Sequence, residues 1–194
     1  MKLPSQRNWL WLLMFSWAVA GGCASLPERG ALPGGFDLRG KLGIAEGDES
    51  FSARFLWRQG SSAFDIELWG PLGQGRVNLS GNERRIELRR GDEVLSRGPP
   101  ETVMTRHLGW SLPLRVLPQW VRGRPAPGLP VSGRSYDDQG RLVSFRQLDW
   151  RVELERLREV DSGAADAGRT VLPHRITARR GAYRVRLAVS EWQI

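Results

Sequence analysis

Cysteine is almost absent: Cys23 is the only one in 194 residues, so no intrachain disulfide can staple this fold. Histidine is nearly as scarce, with His107 and His174 alone, and neither lies in an HExxH or comparable metal-ligand spacing. There is no G-x-S-x-G turn and no cysteine pair either. These gaps leave no catalytic residue, no metal ligand and no cofactor to assign. A lipid-modifying hydrolase working through His107 or His174 is thus the weaker enzyme alternative, because His107 borders a helical stripe and His174 reads as a strand start. Lysine is limited to Lys2 and Lys41, so nearly all of the positive charge behind the +8 net is arginine. No internal repeat unit of fixed length recurs along the chain. The longest apolar run, Trp9 to Ala20, falls short of the roughly 20 residues that a hydrocarbon core requires.

That run follows Lys2 and Arg7 and leads through the small residues Ala20, Gly21 and Gly22 to Cys23. A basic start, an apolar middle and small residues before the cut describe a secretory signal over 1–22. A lone cysteine at the end of such a segment resembles the bacterial lipoprotein box, in which the thiol is diacylated and the new amine acylated after cleavage. Cys23 is the lipidation site on this reading. Three chains would anchor the protein permanently, since each buried methylene adds about 0.8 kcal/mol. Export and lipidation exclude nucleic acid as a partner. Residues 23–35, with their Pro and Gly and no periodicity, read as a flexible tether.

From Phe36 the period is two. In FSARFLWRQ, Phe51, Ala53, Phe55 and Trp57 alternate with Ser52, Arg54, Leu56 and Arg58, and AFDIELW repeats this with Phe64, Ile66 and Leu68. RVNLS, RIELR, WRVEL and YRVRLAV continue the alternation, which predicts strands with one apolar and one wet face. Short gaps at GSS, SGNE and RGDE predict antiparallel hairpins. The period changes between 99 and 122. Pro99 and Pro100 suit a helix entry, Val103, Met104 and Leu108 share a stripe, and Gly109 suits an exit. A second helix is expected from about Val116, with Pro118 in its first turn, Leu117, Trp120 and Val121 on one face, and Gly123 ending it. The segment DSGAADAG reads as a surface loop. The architecture expected of 36–194 is a single mostly β domain of about ten or eleven antiparallel strands, too large for two short helices to cover, leaving an interior that is closed tightly or left as an apolar hollow.

Within that frame WGPLGQG is unusual, because Gly and Pro make a turn between two strands and then place a large aliphatic residue, Leu72, in it. Its glycines are no phosphate cradle, since no helix follows. Six tryptophans, at 57, 69, 110, 120, 150 and 192, lie beyond the signal; core packing or the lining of an apolar hollow are both open to them. Glu153 and Glu155 share a strand face with Arg151 nearby and read as mixed surface charge. Arginine pairs such as Arg84 and Arg85, Arg89 and Arg90, and Arg179 and Arg180 could dock an acidic partner or head group.

The lipobox, FDLRGKLGI, SARFLWRQ, LWGPLGQG, SLPLRVLPQWVRG and LDWRVEL, in that order, resemble the outer-membrane lipoprotein receptor family LolB over nearly the whole mature chain. Departures are Gly70, where the family often has Asn, and Pro118 inside the second helix. The resemblance implies an incomplete antiparallel β-barrel whose short helices form a lid over an apolar cavity, a fold shared with the periplasmic carrier LolA. It implies a receptor that is no enzyme, accepting acylated lipoprotein cargo from a LolA-like carrier and placing its acyl chains in the outer membrane; a monomer is expected. Ala24 after Cys23 is not the Asp that commonly retains lipoproteins at the inner membrane, so a periplasm-facing outer-membrane residence is expected. In the family the turn carries an exposed hydrophobic residue that touches phospholipid, and Pro71, Leu72 and Gly73 occupy that place. Expected cavity residues are Phe55, Trp57, Phe64, Ile66 and Leu68, with Trp120 and Val121 from the lid. A structural lipoprotein that binds a protein partner and no lipid is the alternative.

Overall fold

Strict alternation needs a sheet that buries one face, and a computed structural model of the chain shows it. The structure describes residues 35–161 and 168–194. The signal segment, Cys23, the tether up to Gly34 and most of DSGAADAG lie outside the described residues. Six strands come first: β1 (Phe36–Glu46), β2 (Glu49–Gln59), β3 (Phe64–Trp69), β4 (Val77–Gly81), β5 (Ile86–Arg90) and β6 (Glu93–Gly98). Two helices follow, α1 (Pro100–Leu108) and α2 (Leu117–Val121). The chain returns through β7 (Ser132–Tyr136), β8 (Leu142–Gln147), β9 (Trp150–Asp161), β10 (Arg169–Arg180) and β11 (Tyr183–Gln193).

These eleven strands form one antiparallel sheet in the order β6-β5-β4-β3-β2-β1-β11-β10-β9-β8-β7. Pairing follows sequence neighbours on either side of the central β1–β11 pair, which puts both free edges, β6 and β7, beside the helical segment. The barrel is therefore incomplete at the place where the chain leaves the sheet. Register builds the apolar interior in rows: Leu38 faces Trp57, Trp57 faces Ile66, Ile66 faces Leu79 and Leu79 faces Leu88. A second row runs Leu42, Leu187, Ile176 and Leu154. All of these side chains are buried, and burying one fully contributes about 1.5–3 kcal/mol.

Gly40 permits the closest packing in this wall. It follows a register shift between β1 and β11, and a Cβ there would lie 2.2 Å from the Ala188 carbonyl oxygen and 3.0 Å from the Phe55 ring. His174 sits inside β10, five residues past its start, so its expected place at a strand start is corrected: β10 begins at Arg169, and the chain pairs with β9 well before LPHRI.

The helices follow local chemistry. In α1, Pro100 occupies the first turn with Glu101, Arg106 and His107 fall in the last turn, and Gly109 closes it at φ 76° with its N–H donating to Thr105 O. This arrangement suits the helix dipole and the left-handed exit. Its buried face is Pro100, Val103 and Met104, packed toward β5 and β6. In α2, Pro118 lies in the first turn and Leu117, Trp120 and Val121 are buried, toward β10.

Candidate acyl-chain cavity and exposed tip

Between the helices, Trp110 to Val116 adopts neither helix nor ladder. Trp110, Leu112, Leu114 and Val116 are buried while Ser111, Pro113 and Arg115 are less so, a period-two pattern in a segment that turns at Pro113, whose carbonyl accepts from Val116 N and Leu117 N. This segment fills the interior. What remains is a cavity of about 30 Å³ with no polar surface. From the sheet it is lined by Leu42, Phe55, Trp57, Ile66, Leu68, Leu79 and Leu187, and from the cover by Met104, Trp110, Leu112, Leu114 and Leu117. Ligand pockets run to about 300–1,000 Å³, and one water takes about 30 Å³ of liquid. The expected standing hollow is therefore corrected. The strands do leave a space that the two helices cannot cover, but the linking segment puts its own apolar side chains into it.

Of the expected lining residues, Phe55, Trp57, Ile66 and Leu68 meet on this cavity. Phe64 is buried at the other end of β3, beside a surface cleft of about 590 Å³ that it shares with Arg84, Arg115 and Arg122. Trp120 and Val121 are fully buried and lie off the cavity. Trp120 packs on Phe145 and Trp150 at ring-centroid distances of 6.3 and 6.1 Å, and its Nε1 donates to Gln147 Oε1 at 2.9 Å. Gln147 also accepts from Ala126 N and donates to Ala126 O. The α2 end of the cover is thus fixed to β8 by three buried hydrogen bonds. By contrast, among the described residues the Trp110 to Leu117 stretch shows one side-chain hydrogen bond to the barrel, from Tyr183 OH to Ser111 O at 3.1 Å. Sequence reasoning left Trp110 open between core and lining and missed Leu112 and Leu114, although their alternation with Ser111, Pro113 and Arg115 was a visible signal.

The larger concavities are unsuited to hydrocarbon. One of about 620 Å³ is an open surface cleft bordered by Arg146, Asp149, Arg151 and Arg179.

The tip is built to hold one apolar side chain outward. β3 ends at Trp69 and β4 begins at Val77, and between them Gly70 N donates to Gln74 O while Gly73 N donates to Gly70 O. Gly73, at φ 82°, takes a dihedral that an L-residue adopts only with strain. Leu72 is 84% exposed at the apex, with Pro71 and Gly73 exposed beside it. At the base Arg76 stacks 4.9 Å over Trp69 and pairs with Glu67 at 2.7 Å. Register places Lys41 beside Arg54 and Arg54 beside Trp69, and among the described residues neither Lys41 nor Arg54 has an ion-pair partner. Going back along β2 from Arg54 leads toward the same end as the Leu72 turn. Phe51, 40% exposed, lies there with its ring 5.5 Å from that of Trp110. One rim therefore carries both the tip and an edge of the cavity.

Elsewhere part of the charge is paired locally. Hydrogen bonds from Arg89 and Arg97 hold the Glu87 carboxyl below its ordinary value, and Arg141 does the same for Asp137. At the opposite end burial pushes the Asp37 carboxyl up, against the attraction of Arg58 and Arg39, and its Oδ1 has no hydrogen-bond partner. Glu153 pairs with Arg151 and Arg179 as surface charge. His107 is exposed on α1, and His174 Nδ1 lies 3.3 Å from Leu172 O. Among the described residues no group of three or more His, Cys, Asp or Glu could hold a metal ion.

Residues 35–192 match the family model described as outer membrane lipoprotein LolB. The outer-membrane lipoprotein LolB of Cellvibrio japonicus is 31% identical over 188 residues, covering 89% of this chain and 90% of the relative. That of Nitrosococcus oceani is 35% identical over 161 residues, covering 82% and 76%. Among solved structures, a LolA superfamily protein from Nitrosomonas europaea superposes with a TM-score of 0.53 at 10% identity, over 82% of this chain and 86% of that one, a likeness of fold.

Proposed function

The chain belongs to the LolB family of outer-membrane lipoproteins, and from that premise we propose that it is an outer-membrane receptor that takes acylated lipoproteins from a LolA-like carrier and releases their acyl chains into the membrane. Cys23 carries its own anchor, residues 23–35 tether the barrel, and Leu72 with Pro71 and Gly73 makes the membrane contact. The observation that carries this reading is the cavity seam: one wall is sheet, the other is the cover formed by the two helices and the segment between them, and no polar surface lines either.

The closed cavity then has a definite role. Lifting Met104, Trp110, Leu112, Leu114 and Leu117 from the sheet into water would cost roughly 8–15 kcal/mol at about 1.5–3 kcal/mol each, an upper bound because an opened segment keeps some contacts. Acyl chains that slide in as these side chains leave restore the apolar contact, so exchange needs no energy source and follows a downhill order of affinities. Carrier binds less tightly than receptor, and receptor less tightly than bilayer. Only a ligand with differential affinity for the open form can populate it. The cover swings about its α2 end, which Gln147 fixes, while the Trp110 side lifts.

The test presents full-length protein with a carrier loaded with acylated lipoprotein, and then with liposomes. Acylated cargo is expected to pass to the protein and on to the liposomes, whereas the deacylated form stays behind. Equal capture of deacylated cargo would favour a protein-docking lipoprotein that holds no lipid.

A further inference from the structure

The fold supplies acceptors to three of its buried indoles. Trp57 Nε1 donates to Gln59 Oε1 at 3.1 Å, Trp120 Nε1 to Gln147 Oε1 at 2.9 Å and Trp192 Nε1 to Pro173 O at 3.2 Å. Trp110 differs. Its side chain is 7% exposed and lines the apolar cavity, yet its Nε1 is buried with no acceptor. Native folds seldom leave a desolvated donor unpaired, and a phenylalanine could occupy the same wall without that cost.

The Trp110 ring stands near the rim, where it meets the partly exposed Phe51 and where the cover meets the Leu72 end of the barrel. An acyl chain is hydrocarbon along its length and polar only where a carbonyl joins it to its glyceryl head. That carbonyl accepts a hydrogen bond and donates none. Inside a dry cavity it would be as unsatisfied as the indole, so meeting relieves both.

We propose that the Trp110 indole N–H, buried without an acceptor behind the cavity wall and freed when the cover lifts, receives a carbonyl oxygen of the cargo's acyl ester, so that the site recognises acylated heads instead of hydrocarbon alone and fixes how deep the chains enter. This rests on the reading that the cavity takes acyl chains. The ester carbonyl is shared by a diacylglyceryl-cysteine and by a phospholipid, and the lipoprotein is the source assigned here.

Full-length protein in dodecyl maltoside, a surfactant without carbonyls, is titrated with a diester diacylglyceryl-cysteine peptide, its diether counterpart and a diester phosphatidylglycerol of equal chain length. The expected result is about a threefold to tenfold preference for the diester peptide over the diether, the size of one net hydrogen bond. Trp110→Phe should bring the two peptides to equal affinity, the ratio between them being the readout whatever change in affinity is common to both. In the unsubstituted protein the Trp110 indole proton resonance should move with the diester peptide and hold with the diether, a readout independent of how well the variant folds. Equal affinity of the two peptides, or a preference that survives Trp110→Phe, overturns the donor assignment alone. A Trp110-dependent gain found only with the phospholipid overturns the lipoprotein as the source. Failure of the unsubstituted protein to bind either peptide overturns the acyl-cavity reading and this inference with it.

Discussion

If the cover's side chains stand where acyl chains will lie, weakening the cover should destabilise the empty protein and tighten its grip on cargo. Leu112→Ala tests this. Leu112 is 6% exposed and lines the cavity, so truncation should cost about 2–5 kcal/mol of folding stability. To the extent that Leu112 is displaced on binding, the same loss is removed from the opening cost and reappears as affinity. Full displacement would tighten acyl binding by about thirtyfold to several thousandfold, since about 1.4 kcal/mol is a factor of ten. Leu88→Ala is the control: Leu88 is fully buried between β4 and β6 and off the cavity, so it should lose comparable stability and gain no affinity. The assay pairs chemical denaturation of the empty proteins with titration by a diacyl lipopeptide. Leu112→Ala that loses stability and binds the lipopeptide more weakly, or no differently, refutes self-occupancy of the cavity.

Leu72→Glu should leave the melting temperature nearly unchanged, because an 84% exposed side chain contributes little to folding. It should cut delivery of bound cargo to liposomes about tenfold to a hundredfold, the worth of burying one Leu; normal delivery would refute the tip's role. Gly40→Ala forces a methyl onto the Ala188 carbonyl and the Phe55 ring and should cost about 1–3 kcal/mol in denaturant titration, with a neutral result showing that β1 can shift away. Burial raises the Asp37 carboxyl, so its favourable contribution is full below the ordinary carboxylate value and is lost as pH rises through the folded value. Asp37→Asn should accordingly raise the melting temperature at neutral pH, by an amount that shrinks toward about pH 3. A variant less stable than the parent at neutral pH would mean that attraction to Arg58 and Arg39 outweighs burial.

Much of this was legible in short windows. Alternation in SARFLW and AFDIELW placed strands and named their inner faces, and the hairpins followed from gaps of two to four residues. Pro99, Pro100 and Gly109 bracketed α1, while Pro118 located the start of α2. The exposure of Leu72 followed from a turn too rich in Gly and Pro to fold an aliphatic side chain back. Other features resisted for physical reasons. The segment Trp110 to Val116 alternates as a strand would, but no neighbouring strand pairs with it, and its pattern cannot say that it plugs a barrel. Trp120 and Leu117 share a helical face in the sequence, yet Leu117 reaches the cavity and Trp120 meets Gln147, twenty-seven residues away.

Periodicity, turn chemistry and caps depend on contacts within a few residues, so one strand's inner face or one helix's entry needs nothing beyond its own neighbourhood. Three facts do not: β1 meets β11 instead of closing at β6 and β7, the interior is occupied by a linker, and one indole donor is left without an acceptor beside it. Each depends on side chains brought together from distant parts of the chain, and only the folded molecule settles which atoms fill the space and which are left over.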